Sequence, residues 1–257
     1  MSQVWLIGGT SESAILAKAI IAAKIPCVVT VTTETAKNLY PLSSPLLKIR
    51  VGYLDDNTIL PFLQQQQITA ILDASHPFAV EISKSAIATA TEYNILYLRY
   101  ERSACETVDV EDHILHLDSF ETLLSGDYLT AKRVMLTLGY RHLHQFQQWQ
   151  KRSTLFVRIL PSIVSLETAL TAGFTADRII AIRPPISVEL EKALWQQWNI
   201  SLVVTKASGK AGGEIVKRQV AAELDIPLII IDRPTINYPQ ITTDINTAVE
   251  FCQQYCF

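Results

Sequence analysis

Short apolar runs alternate along the whole chain with longer segments whose apolar residues recur at helical spacing. The runs have the length of buried strands. They cover residues 4–7, 27–31, 46–51, 70–73, 95–99, 114–117, 134–138, 155–160, 179–182, 202–205 and 228–231. Helical spacing lies between them, at residues 13–24, 58–66, 80–93, 188–198 and 214–224. The alternation predicts an α/β fold with largely parallel sheets.

A weak break at residues 124–127 divides the chain into two similar parts. The strand–helix alternation restarts after it, and the charge balance changes sign. Residues 1–125 carry 8 Lys and Arg against 14 Asp and Glu, whereas residues 126–257 carry 14 against 11. We therefore predict one domain over residues 1–125 and a second over residues 126–257.

The composition is that of a soluble globular protein, with 49% apolar residues, 18% charged residues and a formal charge of −3. It excludes a disordered chain and a disulfide scaffold, and a nucleic-acid binder would usually be far more basic. Cys27, Cys105, Cys252 and Cys256 form no CxxC pair, which indicates a reducing compartment. No apolar run approaches the ~20 residues of a membrane span. We expect a cytoplasmic protein with neither membrane nor nucleic-acid partners.

A glycine turn follows the first predicted strand. Gly8 and Gly9 let the backbone turn sharply and let an anion approach it, while Thr10 and Ser11 can cap the next helix. The amides at a helix N-terminus favour negative charge, so a nucleotide phosphate would fit. A plain turn is the alternative, because the GxGxxG pattern is absent.

The segment after the second predicted strand bears on which nucleotide binds. NAD sites usually carry an acidic residue there, whereas NADP sites offer hydroxyls or a cation to the 2′-phosphate. Thr32, Thr33 and Lys37 suit NADP, and Glu34 favours NAD unless its side chain points elsewhere. We expect NADP.

Polar side chains are concentrated at the end of the strand predicted at residues 70–73. Asp73, Ser75 and His76 follow in near succession, and Pro77 fixes the backbone. Such an arrangement at a strand terminus is more typical of a site than of a core. His76 could donate a proton or hydrogen-bond a ligand carbonyl. Ser75, Asp73 and water stay open as alternative proton donors.

Several motifs occur in a fixed order along nearly the whole chain. They are Gly8-Gly9-Thr10, Val51-Gly52, the stretch at 73–79, Tyr97-Leu98-Arg99 with Glu101-Arg102, Leu138-Gly139, Arg183-Pro184-Pro185, Val204-Thr205-Lys206 with Ser208-Gly209, and Ile231-Asp232-Arg233-Pro234. This series resembles the precorrin-6A reductases of vitamin B12 (cobalamin) biosynthesis. The Asp-Ala-Ser-His-Pro-Phe-Ala stretch is its most specific element. Two departures concern local substrate contacts: Arg-Pro-Pro-Ile at 183–186 replaces the usual Arg-Gly-Pro-Phe, and Cys105 stands where tryptophan is common.

The resemblance implies two Rossmann-like domains flanking a cleft, and an oxidoreductase that transfers a hydride from NADPH to a corrin-precursor macrocycle. The product would be the 6B form of precorrin-6A or of its cobalt complex, and residues 32–36 look more like those of the cobalt-using members. The cofactor would lie along Gly8, Gly9, Thr10, Ser11, Glu12, Thr33, Glu34, Ala74, Ser75, His76, Pro77 and Phe78. The catalytic candidates are His76, Ser75 and Asp73.

Such a macrocycle carries several carboxylates, so its pocket should offer cations and backbone donors. Predicted strand ends supply them at Arg99, Arg102, Lys206, Ser208, Gly209, Lys210 and Arg233. The loop at 209–213 could present amides to a carboxylate. No metal site is predicted, because the histidine pairs at 113/116 and 142/144 lack further ligands at suitable spacing.

Two other classes stay open. A tetrapyrrole methyltransferase that uses S-adenosylmethionine would share the glycine loop but would be indifferent to NADPH. A tetrapyrrole carrier would bind the macrocycle without oxidising NADPH. The oligomeric state is left open.

Overall fold

Two parallel six-stranded sheets with flanking helices make up the fold, in a computed structural model that describes residues 2–41, 44–102 and 113–255. The first part of the chain forms β1 (Gln3–Ile7), α1 (Ser11–Ala22), β2 (Cys27–Val31), α2 (Glu34–Lys37), β3 (Leu47–Val51), α3 (Ile59–Gln65), β4 (Ile68–Asp73), α4 (Val80–Glu92) and β5 (Leu96–Tyr100). The middle part forms β6 (Ile114–Leu117), α5 (Phe120–Ser125), β7 (Arg133–Thr137), β8 (Thr154–Ile159), α6 (Ile163–Thr171), β9 (Ile179–Ala181), α7 (Val188–Gln197), β10 (Leu202–Lys206), α8 (Glu214–Leu224) and β11 (Leu228–Ile231). Short 3-10 helices cover Leu143–Lys151, Ala176–Arg178 and Lys210–Gly212, and β12 (Ile241–Thr242) and α9 (Ile245–Gln254) follow. The predicted α/β class is confirmed.

The first sheet has the strand order β3-β2-β1-β4-β5-β12, with every pair parallel. This is the doubly wound order 3-2-1-4-5-6, in which ligands bind where the strand order reverses, beyond the carboxyl ends of the strands. The reversal lies between β1 and β4. Ile7 is in register with Asp73, so the loops that follow these two strands begin side by side.

The second sheet has the order β9-β8-β7-β10-β11-β6, again all parallel. Counted from β7 this is the same doubly wound order, with β6 in the sixth place although it precedes β7 in the chain. The sixth strand of the first sheet, β12, comes after all the strands of the second. The first sheet therefore consists of β1–β5 and the later strand β12, and the second consists of β7–β11 and the earlier strand β6.

The chain divides into two compact units, one made of Met1–Ser103 with Thr235–Phe257 and the other of Ala104–Pro234. This division differs from the boundary predicted after residue 125. The break at 124–127 is the turn that ends α5, inside the second unit. Because β6 pairs with β11 and β12 pairs with β5, the boundary depends on contacts between distant segments that a local pattern does not show.

The first sheet carries a hydrophobic core on both faces, which explains why its strands are continuous apolar runs. Val4 and Leu6 of β1 lie in one core, and the alternate residues Trp5 and Ile7 lie in the other. Helix α9 contributes to the first of these cores, where Cys252 is fully buried. Within the described part of the chain, no helix combines the length and apolar character needed to span a bilayer.

Candidate functional site

Two loops that the sequence singled out meet beyond the carboxyl ends of β1 and β4. The Thr10 hydroxyl donates a hydrogen bond to the Ala74 carbonyl at 2.9 Å, and the Ala74 amide donates to the carbonyl of Ile7 at 3.0 Å. The glycine turn and the stretch at 73–79 are thus held together at the reversal point of the first sheet. A small pocket there is lined by Thr10, Glu12, Ala74, Ser75, Arg99, Tyr100 and Arg102.

The two glycines of the turn serve different purposes. Gly9 has φ +99°, and no described heavy atom lies within 4 Å of the point where its Cβ would stand. A ligand can therefore approach its backbone closely. A Cβ on Gly8 would instead lie 2.3 Å from the Tyr40 hydroxyl oxygen.

Tyr40 holds the glycine turn from behind, and sequence reasoning missed it. Its buried hydroxyl accepts a hydrogen bond from the Gly9 amide at 2.7 Å and lies 2.6 Å from Ser13 Oγ. Burial raises the pKa of Tyr40, so the hydroxyl stays neutral. Tyr40 lies 31 residues beyond Gly9, in a segment without a local motif. Because Tyr40 engages the Gly9 amide, an anion here would depend mainly on the amides of the following helix.

The first turn of α1 supplies those amides. Thr10 caps the helix through a reciprocal pair of hydrogen bonds with Ser13. The amides of Ser11 and Glu12 lie in the first turn, where helical amides have no intrahelical carbonyl partner. The Glu12 carboxylate forms an ion pair with Arg102 at 3.1 Å. This pairing offsets the negative charge that Glu12 would present to a phosphate, and it places Arg102 beside the glycine turn.

Asp73 is the centre of a buried hydrogen-bond network. Its carboxylate has 0% exposure and accepts four hydrogen bonds. The donors are the Ser75 amide at 2.9 Å, Arg99 Nη1 at 2.9 Å, Ser83 Oγ at 2.6 Å and the Tyr97 hydroxyl at 2.6 Å. Burial raises the pKa of Tyr97, with the Asp73 charge adding to the effect, so Tyr97 remains a donor. This geometry favours a positioning role for Asp73 over direct proton transfer.

Arg99 belongs to the same network. Its side chain is 1% exposed, and its guanidinium also contacts the Glu101 carboxylate at 2.7 Å and the Ser75 hydroxyl at 3.1 Å. The ring of Tyr238 lies 5.3 Å from the guanidinium carbon. Arg99 therefore orients the loop after β4, and its enclosure argues against contact with a carboxylate of the substrate.

His76 lies at the surface of this loop and is partly exposed. Its Nδ1 accepts a hydrogen bond from the Phe78 amide at 3.2 Å, and the two rings are 5.9 Å apart. With Nδ1 as acceptor, a neutral His76 ring carries its proton on Nε2. Pro77 between them is buried. Of the three catalytic candidates, His76 is the most accessible to a ligand.

The segment after β2 presents hydroxyls at the strand end. Thr32 and Thr33 follow directly, and the Thr33 hydroxyl caps α2 by accepting from the Ala36 amide at 3.2 Å. The Glu34 side chain is 75% exposed and lies 3.7 Å from the Lys37 ammonium. Glu34 is thus the first residue of α2, and its carboxylate lies beside Lys37 one turn further along that helix.

The reversal point of the second sheet, between β7 and β10, carries a group of basic side chains. Burial, with a contribution from Arg141, lowers the pKa of Lys206 to about 8. Burial, followed by the charges of Lys206, His144 and Arg141, lowers the pKa of His142 to about 4. The neutral His142 ring stacks on Phe120 at 4.2 Å. Sequence reasoning found Lys206, considered His142 only as a metal ligand and missed Arg141, although the Leu138-Gly139 turn just before them was a usable signal.

The loop after β10 is held by its own hydrogen bonds. The Gly209 amide donates to the buried Glu214 carboxylate at 2.9 Å, and the amides of Gly212 and Gly213 donate to carbonyls within the loop. Lys217, which is also buried, donates to the Gly212 carbonyl at 2.7 Å. The amides at 209, 212 and 213 are therefore engaged, and the expectation that this loop presents them to a carboxylate finds no support in its geometry.

The other predicted residues of this region differ in accessibility. Ser208 is buried, Lys210 is exposed, and Arg233 Nε donates to the Ala207 carbonyl at 2.9 Å, which ties the loop to the end of β11. The His116 ring contacts Asp232 at 2.6 Å. In the residues that the structure describes, no group of three or more His, Cys, Asp or Glu side chains is arranged to hold a metal ion. Cys105 lies outside the described residues.

Comparison with known proteins gives consistent matches over nearly the full chain. A family model described as "Precorrin-6x reductase CbiJ/CobK" matches residues 3–253. The chain is 46% identical over 258 residues to the cobalt-precorrin-6A reductase of Synechocystis sp., covering 99% of this chain and 97% of the relative. It is 32% identical over 251 residues to the cobalt-precorrin-6A reductase of Priestia megaterium, covering 96% of each.

A solved structure supports the architecture. The fold is similar to that of a CobK precorrin-6A reductase, with a TM-score of 0.81 and 23% identity over 99% of this chain and 97% of the other. The match extends across both six-stranded sheets.

Proposed function

The chain belongs to the precorrin-6x reductase family and is a precorrin-6A reductase of cobalamin biosynthesis; from this premise we propose that it uses NADPH, and that its substrate is cobalt-precorrin-6A. The substrate proposal is supported by the 46% identity to a cobalt-precorrin-6A reductase. The cofactor proposal is carried by one observation: the hydrogen bond from Thr10 to Ala74 holds the glycine turn against the loop of His76 at the reversal point of a doubly wound sheet.

The residues at this point fit a dinucleotide. The open space beyond Gly9 admits a diphosphate, and the first-turn amides at Ser11 and Glu12 would bind it. Arg102 offsets the charge of Glu12 beside it. Bound NADPH supplies the hydride, so the protein needs no nucleophile and its own task is to bind, orient and exclude water.

The preference for NADPH over NADH is proposed to arise after β2. Thr32, Thr33 and Lys37 offer hydroxyls and a positive charge to a 2′-phosphate. Glu34 would repel that phosphate if it occupied the strand end, but it lies within α2 beside Lys37.

Reduction of the macrocycle requires a proton as well as a hydride, and His76 is the proposed donor. In the neutral ring, the Phe78 amide donates to Nδ1 and the ring proton is on Nε2. The proton donor is the imidazolium: Nδ1 takes up a proton and gives up the hydrogen bond from Phe78, Nε2 releases its proton to the macrocycle, and the neutral ring is regenerated. Asp73 and Arg99 hydrogen-bond to Ser75, the residue before His76, and so hold the backbone to which the His76 ring is attached. Ser75 acts in this arrangement as part of the support.

The basic side chains at the reversal point of the second sheet are proposed to bind carboxylates of the macrocycle. Arg141 and Lys206 supply positive charge. The neutral His142 ring, which stacks on Phe120, can form hydrogen bonds through its ring nitrogens. Lys210 can add a further contact from the exposed part of the loop. A substrate rich in carboxylates suits this concentration of cations.

Parallel titrations with NADPH, NADH and S-adenosylmethionine test the cofactor proposal. The fluorescence of the nicotinamide reports binding of NADPH and NADH, and isothermal titration calorimetry reports binding of S-adenosylmethionine, which carries no nicotinamide. We expect selective binding of NADPH, followed by its oxidation on addition of cobalt-precorrin-6A. Binding of S-adenosylmethionine alone would instead indicate a methyltransferase. Binding of the macrocycle without oxidation of NADPH would indicate a carrier.

Replacement of His76 by alanine should reduce kcat by about 100-fold, the lower end of what a general acid contributes. The Kd for NADPH should change little, because the groups proposed to bind the diphosphate are on the other loop. Single-turnover kinetics and an NADPH titration measure the two effects. His116→Ala, on the edge strand β6 of the second unit, is the matched histidine control. Equal turnover in His76→Ala and the parent protein would remove His76 from the mechanism.

Replacement of Lys206 by methionine should weaken macrocycle binding and stabilise the fold. Its pKa of about 8 lies below that of an unfolded lysine, so the folded state carries a disfavoured charge below pH 8. At neutral pH we expect a gain of about 1–3 kcal/mol in the free energy of unfolding. The gain should shrink from pH 8 to about 10.5, because the parent protein then loses this charge more readily when folded than when unfolded.

The KM for the macrocycle is the second property to measure in Lys206→Met. In the parent protein, the KM for the macrocycle should rise as the pH passes through about 8, because Lys206 then loses its charge. In Lys206→Met, the KM should already be raised at lower pH and should show no such rise near pH 8. Lys210→Met, in the exposed part of the same loop, is the control and should retain the rise. Thermal melts over a pH series and steady-state kinetics check both effects. Equal stability and equal KM in Lys206→Met and the parent would contradict this assignment.

A further inference from the structure

Tyr40 is buried beside the glycine turn, and its hydroxyl is one member of a directed chain of hydrogen bonds. The Ser13 hydroxyl donates its single proton to the Thr10 carbonyl at 2.7 Å, so in its contact with Tyr40, 2.6 Å away, it accepts. Tyr40 in turn accepts from the Gly9 amide at 2.7 Å. The chain therefore runs from the Gly9 amide through Tyr40 and Ser13 to Thr10. The tyrosine hydroxyl thereby fixes the direction of the Gly9 amide.

Tyr40 belongs to the same short segment as the residues proposed to contact the 2′-phosphate. Helix α2 has a single turn and buries none of its four residues. The Lys37 amide donates to the Thr33 carbonyl at 3.3 Å, and the Tyr40 amide donates to the Lys37 carbonyl at 3.2 Å. Backbone hydrogen bonds thus connect Thr33, Lys37 and Tyr40 in succession.

The side chain of Tyr40 is the anchor of this segment. A helix of one turn is too short to be stable alone, so the positions of Thr33 and Lys37 depend on what holds the segment in place. Of residues 32–41, all of which the structure describes, Tyr40 alone is buried, and it packs in the first core at 4% exposure. The same side chain therefore holds both the segment after β2 and the glycine turn after β1.

The distance between these two regions matters for a dinucleotide that carries a 2′-phosphate. Its diphosphate and its 2′-phosphate are attached to one ribose, so the distance between them varies little. A protein binds both groups well only when its two subsites are held at that distance, because the second contact is then made at a high effective concentration. A dinucleotide without the 2′-phosphate uses the first subsite alone and is insensitive to this distance.

We propose that Tyr40 is a positioning residue that sets the distance between the two subsites, and so determines part of the preference for NADPH over NADH. This inference rests on the proposed function, because both subsites belong to the proposed cofactor site. Thr33 and Lys37 offer the groups that contact the 2′-phosphate. The Tyr40 hydroxyl holds the glycine turn, its backbone holds Lys37, and the rigid aromatic ring connects the two.

Tyr40→Phe tests the inference, because it removes the hydroxyl and keeps the buried ring. Nicotinamide fluorescence gives the Kd for each nucleotide. We expect the Kd for NADPH to rise about tenfold and that for NADH to rise no more than about twofold. The kcat at saturating NADPH should stay unchanged, since the effect concerns cofactor binding. Tyr93→Phe is the matched control, because Tyr93 of the same unit is 43% exposed, and both Kd values should stay at those of the parent.

A double-mutant cycle with Lys37→Met separates positioning from a general loss of structure. Lys37→Met removes the charge proposed to bind the 2′-phosphate, so the distance between the subsites should then matter less. In this background Tyr40→Phe should raise the Kd for NADPH by no more than about threefold. The full tenfold rise in both backgrounds would show that Tyr40 acts on the fold alone, and would overturn the inference.

Hydrogen exchange in the parent protein supplies a test that does not depend on the folding of a variant. At saturation with either nucleotide, the peptide covering residues 8–13 should exchange more slowly with NADPH than with NADH, because only NADPH also orders the segment that carries Tyr40. Equal protection would contradict the inference. So would an equal loss of affinity for both nucleotides in Tyr40→Phe, which would leave the proposed function intact. A parent protein that binds neither nucleotide would overturn the proposed function and this inference together.

Discussion

Replacement of Arg99 by methionine should lower the free energy of unfolding by about 3–5 kcal/mol, the cost of removing one partner from a buried ion pair. The variant would leave the Asp73 carboxylate at 0% exposure without its guanidinium, and would remove the contacts to Glu101 and Ser75. Urea unfolding followed by circular dichroism measures the loss.

A matched control comes from the neighbouring arginine. Arg102 pairs with Glu12 at a more accessible position, so Arg102→Met should cost no more than about 1 kcal/mol. The double variant Asp73→Asn/Arg99→Met should recover part of the loss, because it leaves no charge at the fully buried position 73, whereas the Glu101 carboxylate is 20% exposed. A cost in Arg99→Met as small as that of Arg102→Met would show that the network does not hold the loop.

Removal of residues 235–257 should leave the first unit unfolded while the second unit stays folded. The deleted segment contains β12, which pairs with β5, and α9, which buries Ala248, Phe251 and Cys252 in the core of the first unit. It also removes Tyr238, which stacks on Tyr97 at a ring distance of 6.4 Å. The second unit keeps all six of its strands.

Hydrogen exchange followed by mass spectrometry distinguishes the two units in the shortened chain. Amides of β1 and β4 should exchange rapidly and those of β7 and β10 slowly. Phe251→Ala in the full chain is the milder test and should cost about 3–5 kcal/mol, whereas Tyr255→Ala, at a 37% exposed position, should cost much less. Protected amides in β1 of the shortened chain would contradict the assignment of residues 235–257 to the first core.

The sequence predicted elements well where the signal is local. The apolar run at 27–31 is β2 to the residue, and the run at 114–117 is β6. The partner of β6 could not be read in the same way, because its pairing with β11 joins segments more than a hundred residues apart. The two-residue β12 is too short to produce a pattern of its own.

In the candidate site, too, sequence reasoning found the features that have a local motif and missed those that depend on long-range contacts. The glycine turn and the stretch at 73–79 each carry local motifs, and both lie at the reversal point of the first sheet. Arg99 was grouped with the cations expected to bind substrate because it stands at a strand end. Only the register between β4 and β5, which sets Asp73 opposite Arg99, shows that it is held in a buried pair. Tyr40 was missed because its contact with Gly9 depends on tertiary folding.

The placement of β12 and α9 also sets an order of events during synthesis of the chain. Domains usually fold as they leave the ribosome, beginning with the N-terminal one. Here the second unit is complete once Pro234 has emerged, whereas the first unit also needs Thr235–Phe257, which are made after it. The glycine turn, although it stands at the very start of the sequence, should therefore acquire its final support last. A chain that stops before residue 235 should then carry a folded second unit beside an incomplete first unit.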